Sequence, residues 1–142
     1  MIAVAGHWEI GYMAPIMEAH LWNLILRDFG VTEWLMTPVS GVRHLEENRV
    51  NLKEFHTHDD LLASCEGTPR VFLEPRVEDA VWLPDFEHPE NCVYVFGSAH
   101  FNPTIGYRRP EDTVVTVPTV LNSGVPWAHQ ILSIVLYDRM MK

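Results

Sequence analysis

Two short stretches carry side chains able to do chemistry. The first, AGHWEIGYMAP at residues 5 to 15, sets His7, Glu9 and Tyr12 just past an apolar run. The second, VYVFGSAHFNPTIG at residues 93 to 106, breaks off at Gly97 and Ser98, carries His100 and is halted by Pro103. An imidazole that titrates near neutral pH and a carboxylate are the groups used for general acid and base work. A glycine just past a strand lets something come close to the backbone, either a ligand or the loop's own turn. His7, Glu9 and His20 are therefore the polar candidates for an active centre, and a polar surface loop is the competing reading. His100 has the same two readings. HTHDD at residues 56 to 60 invites a metal site, but its spacing lacks the later acid and histidine of metallohydrolases. Thr57 and Asp60 suit the start of a helix instead, and no metal is expected.

The elements that position these groups follow from the apolar pattern. Residues 2 to 6 (IAVAG) read as a short buried strand. Pro15 opens a helix and Gly30 ends it. Met13, Ile16, Met17, Leu21, Leu24 and Ile25 form one apolar stripe, while Trp22, Leu26 and Phe29 lie on another side. One sheet face cannot cover both stripes. Further strands are expected at 31 to 38, 70 to 75, 92 to 97 and 113 to 118, with a short extended piece within 39 to 55. A short helix spans THDDLLASCEG, capped by Thr57. The last helix, about 126 to 141, carries Ile131, Leu132, Ile134, Val135 and Leu136 and reads as almost entirely buried. Strands and helices alternate, and the strands are continuous Val/Ile/Phe runs. That pattern indicates an α/β fold with a mainly parallel sheet flanked by helices. Ligands of such sheets lie outside the carboxyl ends of the strands, where LEPR, GSAHFNP and PTVLNSGVPW stand.

The 142 residues suit one domain, residues 1 to 142. Apolar residues make up 47% and charged residues 20%, and no uncharged run is long enough to span a bilayer. The first residues lack the basic start of a signal peptide. Cys65 and Cys92 have no metal or redox spacing, so a reducing, cytoplasmic setting is expected. A net charge of −9 argues against a broad electrostatic grip on nucleic acid, and no DNA partner is expected. Arg43, Arg49, Arg76, Arg108 and Arg109 can still form a local basic patch. No phosphate-binding Gly-Lys-Ser loop, GxGxxG or Gly-x-Ser-x-Gly elbow occurs.

The order VYVFGSAHFNP, then DTVVTVPTV, then a loop and ILSIVLYDRM, resembles the C-terminal half of a SpoU-type (TrmH-like) methyltransferase of the SPOUT superfamily. The opening strand, helix, FGV, strand and TP are similar to that family's first unit, and VFLEPR stands where its first cofactor loop follows a strand. The resemblance implies a SPOUT-like fold with a C-terminal trefoil knot, a topology that is rare among proteins. It also implies S-adenosyl-L-methionine as cofactor, held by backbone groups of three loops, and a homodimer packed through the first and last helices. The activity implied is methylation of RNA at a ribose hydroxyl. By position, Leu73, Glu74, Gly97, Ser98, Val117, Thr119 and Val125 line the cofactor pocket.

The chain departs from the family pattern at three places. The family's arginine in the first helix falls at Leu24, with Arg27 nearly a turn later and able to replace it only through a shift of register. Ala99 stands for the acid of Gly-x-Glu, and Val125 and Trp127 stand for Ser-x-Asn, with Asn122 and Ser123 nearby. Transfer to a hydroxyl needs a group to orient or deprotonate it, which Leu, Ala, Val and Trp do not supply. Glu9, His7 and Arg27 are the remaining catalytic candidates. Two alternatives stay open: a non-catalytic nucleoside-binding or interaction module of the same fold, and a small-molecule enzyme built on His7, Glu9 and His100.

Overall fold

The computed structural model describes residues 1–42, 50–75, 77–121 and 126–142. Arg43, Arg49, Arg76, Asn122, Ser123 and Val125 lie outside the described residues.

Strand β1 (Ile2–His7) is followed by helix α1 (Pro15–Asp28), then by β2 (Glu33–Thr37) and β3 (Leu52–Glu54). Helix α2 (His58–Ser64) leads to β4 (Arg70–Leu73), the two-residue β5 (Val81–Trp82) and a 3-10 turn (Leu83–Asp85). After β6 (Cys92–Phe96) come a short kinked turn, α3 (Thr104–Tyr107), then β7 (Thr113–Thr116) and helix α4 (Ala128–Met141). Among the described residues seven strands form one sheet in the order β3-β2-β1-β6-β4-β7-β5. Every pairing in it is parallel. The fold is thus α/β with a wholly parallel sheet, and the central strands β4, β6 and β7 are buried almost throughout, as their apolar runs require.

Helices α1 and α4 cover one face, where Trp22, Leu26, Leu132, Val135 and Leu136 pack on Val4, Tyr94, Phe96 and Val115. α2 covers the other face, with Leu61, Leu62 and Cys65 on Ala3, Leu35, Phe72 and Val95. Of the two stripes on α1, the sheet takes the one with Trp22 and Leu26. Gly6 makes that choice possible, because a Cβ there would stand 2.9 Å from both the Trp22 indole and Met36 Sδ. Ile16, Met17 and Leu24 are left outside. The expectation of an almost entirely buried last helix is corrected in the same way. One sheet face reaches only Leu132, Val135 and Leu136, and Ile134 remains 46% exposed.

Thr57 caps α2 as expected, its hydroxyl accepting from the Asp60 amide at 3.1 Å. Among the described residues no helix is long and apolar enough to cross a membrane. No trio of His, Cys, Asp or Glu among them converges as a metal would need.

Candidate active site

Register brings three strand ends to one level. Leu73 of β4 pairs with Phe96 of β6 and with Val115 of β7, so Glu74 and Gly97 leave the sheet beside Thr116, the last residue of β7. The chain builds β1, β2 and β3 in one direction, and β4 then starts on the far side of β1 with β6 inserted between. Reversals of this kind open a crevice at the carboxyl ends of the strands. A cavity of about 540 Å³ occupies the crevice here, within the size range of small-molecule sites.

Three loops and α4 wall it. Leu73, Glu74 and Pro75 come from the first loop, Phe96 to Ala99 from the second, and Val115 to Val117 with Thr119 from the third. Trp127, Ala128 and Ile131 close it from the start of α4. That helix is held in place where the Trp127 amide donates to Gln130 Oε1 at 2.8 Å. Six of the seven residues singled out for the pocket, Leu73, Glu74, Gly97, Ser98, Val117 and Thr119, therefore share one cavity. Val125, the seventh, is outside the described residues.

Gly97 has a more local cause than a ligand. Ser98 and Phe101 form an antiparallel bridge, with the Ser98 amide donating to the Phe101 carbonyl at 2.8 Å. A Cβ on residue 97 would lie 2.3 Å from that carbonyl oxygen and 3.0 Å from Pro103 Cδ. The close approach is made by the loop's own backbone, folded back to shape the cavity wall.

Glu9 reaches the cavity and is buried. Both its carboxylate oxygens accept from the Ala99 amide, at 3.2 and 3.1 Å, so this acid sits against the very residue where the family's Gly-x-Glu acid is missing. Its backbone is held in turn by Glu18, whose Oε2 accepts from the Glu9 amide at 2.8 Å while Oε1 accepts from the Trp22 indole at 3.2 Å. Burial raises the Glu18 carboxyl to about 7.

His7 stands behind the wall. Its ring stacks on Phe101 at 4.7 Å, and Nδ1 lies 2.9 Å from the Trp8 carbonyl and 3.1 Å from Ser98 Oγ. The carbonyl can only accept, so Nδ1 carries the hydrogen, and burial holds the imidazole below its usual value. His7 does not line the cavity itself and meets it through two wall residues, Ser98 and Phe101. His100 is exposed and stacks on Tyr12 at 5.0 Å, at the cavity mouth. Arg27 lies in the last turn of α1, a helix that runs about 20 Å back from the cavity edge. It is not among the groups a ligand in the cavity would meet.

Sequence reasoning did not pick out Phe96, Thr116 or Ile131 as wall residues, nor Glu18 behind them. Thr116 is the most telling: it is 8% exposed, and its hydroxyl has no partner. The only signal was a threonine closing the short strand TVVT.

An RNA methyltransferase-type protein of Bacillus anthracis superposes with a TM-score of 0.72 at 13% identity, over 99% of this chain and 93% of that one. The fold is TrmH-like. A Porphyromonas gingivalis protein of the TrmH family of RNA methyltransferases gives a TM-score of 0.68 at 17% identity. An rRNA methyltransferase of Sinorhizobium meliloti solved with AdoMet bound gives 0.67 at 10%. These two cover 97% and 99% of this chain, which spans only 58% and 55% of theirs. No family model and no curated protein matches the sequence.

Proposed function

We propose that this protein binds S-adenosyl-L-methionine in the cavity and transfers its methyl group to RNA, at a ribose hydroxyl. The observation that carries the reading is the convergence of the three loops on one cavity at the carboxyl edge of a TrmH-like sheet. The walls fit the cofactor. Leu73, Phe96, Val115 and Ile131 offer apolar surface for the adenine, Thr116 offers an unpartnered hydroxyl, and Glu9 and Glu74 offer negative charge. When bound, the cofactor supplies an electrophilic methyl group on a sulfonium.

Glu9 is the carboxylate placed to orient the acceptor hydroxyl and take its proton, with the Ala99 amide fixing its position. Tyr12, 60% exposed and stacked with His100, gives an acceptor base an aromatic face at the mouth. In this reading the C-terminal segment is tucked through a preceding loop as a trefoil knot. The chain pairs with a second copy through Ile16, Met17 and Leu24 of α1 and Ile134, Tyr137 and Met140 of α4, which are all exposed in the single chain; sedimentation velocity reads that state.

A second reading, a nucleoside-binding module without transfer, is favoured by one observation. Among the described residues no Lys or Arg lines the cavity to meet RNA phosphate. One experiment separates the two. Calorimetry with S-adenosylmethionine should give saturable heat in both cases, and labelled methyl should pass to bulk RNA only if the first holds. Absence of heat with S-adenosylmethionine and S-adenosylhomocysteine alike overturns both.

A further inference from the structure

The charge of the cavity is one-sided. Its described lining carries two carboxylates, Glu9 and Glu74, and no Lys, Arg or His. β6 alone separates β1 from β4, so the two acids spring from strand ends about 10 Å apart, flanking the loop of Gly97 to Ala99. Among the described residues neither has an ion-pair partner. Glu9 accepts from the Ala99 amide, and Glu74 accepts from the Thr104 hydroxyl at 3.4 Å. Burial pushes the Glu74 carboxyl up, as expected for a carboxylate removed from water without a counter-charge. Thr116, more than nine-tenths buried, adds a hydroxyl with no partner on the neighbouring strand end. A metal would need a third ligand, and none of the described His, Cys, Asp or Glu side chains completes such a set.

We infer that the cavity is built for an organic cation, with Glu74 as its principal counter-charge and Glu9 adding to the same field. This rests on the nucleoside reading above and sharpens it: the site distinguishes a sulfonium or ammonium nucleoside from the neutral thioether of the same shape. Loss of the methyl group leaves the bonding electron pair on sulfur and removes the positive charge, so the spent compound loses its attraction to Glu74. The acids thus hold the donor and release the product.

The test is calorimetry on the full chain with three probes: S-adenosylmethionine, S-adenosylhomocysteine, and the analogue carrying an ammonium group in place of the sulfonium. Both cations should bind about tenfold or more tighter than the thioether, a modest fraction of the attraction between unit charges in contact near a protein surface. Glu74→Gln should shrink that ratio to about threefold or less, and Glu74→Asp should retain most of it. Equal affinities in the unaltered protein, or a ratio that Glu74→Gln leaves unchanged, overturn the inference alone. If none of the three binds, the nucleoside reading falls and the inference with it.

Discussion

The two edges of the sheet treat their polar groups in opposite ways. At the amino edge each buried charge has found its complement. Arg70 Nε donates to Asp112 Oδ1 at 2.9 Å, Nη2 donates to the second oxygen, and the Arg109 amide donates to Asp112 at 2.7 Å. Beside it His88 bridges Tyr94 and Asp138, Arg139 reaches the Tyr94 hydroxyl and the Pro89 and Glu90 carbonyls, and Lys142 ties α4 to the carbonyls of Leu83, Pro84 and Phe86. At the carboxyl edge the cavity keeps Glu9 and Glu74 without cations and the Thr116 hydroxyl without any partner. Buried polar groups are normally satisfied, so an edge that leaves several open is shaped for something that completes them. The contrast separates architecture from site more clearly than burial does, since both edges are buried.

The largest expected difference between the edges lies in the cost of removing an acid. Arg70 and Asp112 side chains are 6% and 4% exposed. Asp112→Ala leaves the guanidinium buried without its counter-charge, and should lower unfolding stability by about 3–5 kcal/mol in denaturant titrations. Glu74→Gln, which removes an acid with no counter-charge, should leave stability unchanged or raise it. Equal losses at the two positions break the comparison.

The next effect concerns groups near the open edge whose charge is disfavoured by burial. Glu18, raised to about 7, gives stability that is fully present below its unfolded value of 4.5 and lost as pH rises through 7. His58 is pushed down to about 4 by burial, with His7 adding to it. Its contribution is present above its unfolded value of 6.5 and is lost as pH falls through 4. The two slopes oppose each other between 4.5 and 6.5 and flatten the profile. Glu18→Gln should leave the His58 titration unopposed, so that stability drops by up to about 3 kcal/mol between pH 6.5 and 4. His58→Leu should leave the opposite slope, falling from pH 4.5 to 7. Parallel profiles for the three proteins rule this out.

The architecture was more legible in the sequence than the site. Strand runs such as VFL and CVYVF are continuous because both faces of the sheet are covered, and a buried parallel strand has few other readings. The two-residue β5 was missed because Val81 and Trp82 are exposed and carry no pattern. On α1 two apolar stripes were legible, but not which of them the sheet takes. Composition alone could not show that Gly6 opens a seat for the Trp22 indole and so turns that stripe toward the sheet. The loop residues of the cavity were legible because strand ends mark ligand edges. Phe96, Thr116 and Ile131 were not, since each lies within a strand or helix and reads as core. Glu18 was hidden for another reason: an acid in the first turn of a helix is ordinary, and only the packing shows that it is 1% exposed and holds Glu9 in place.

The smallest effect compares two hydroxyls of opposite standing. The Tyr94 hydroxyl lies 2.6 Å from His88 Nδ1 and accepts from Arg139 at 3.1 Å, while His88 Nε2 stands 2.9 Å from Asp138. Removing it by Tyr94→Phe strands an imidazole nitrogen and a guanidinium hydrogen, and should cost about 1–2 kcal/mol. Thr116→Val removes a hydroxyl that holds nothing and replaces it with a methyl group of nearly the same volume. Its stability should stay within about 0.5 kcal/mol of the parent or rise, because an unpaired buried hydroxyl carries an uncompensated desolvation cost. The order reverses for ligand. Thr116→Val should weaken binding of the nucleoside in the cavity, while Tyr94→Phe, at the far edge, should leave it unchanged. If the Thr116 variant is instead the less stable of the two, its hydroxyl has a structural partner and the carboxyl edge is no more open than the other.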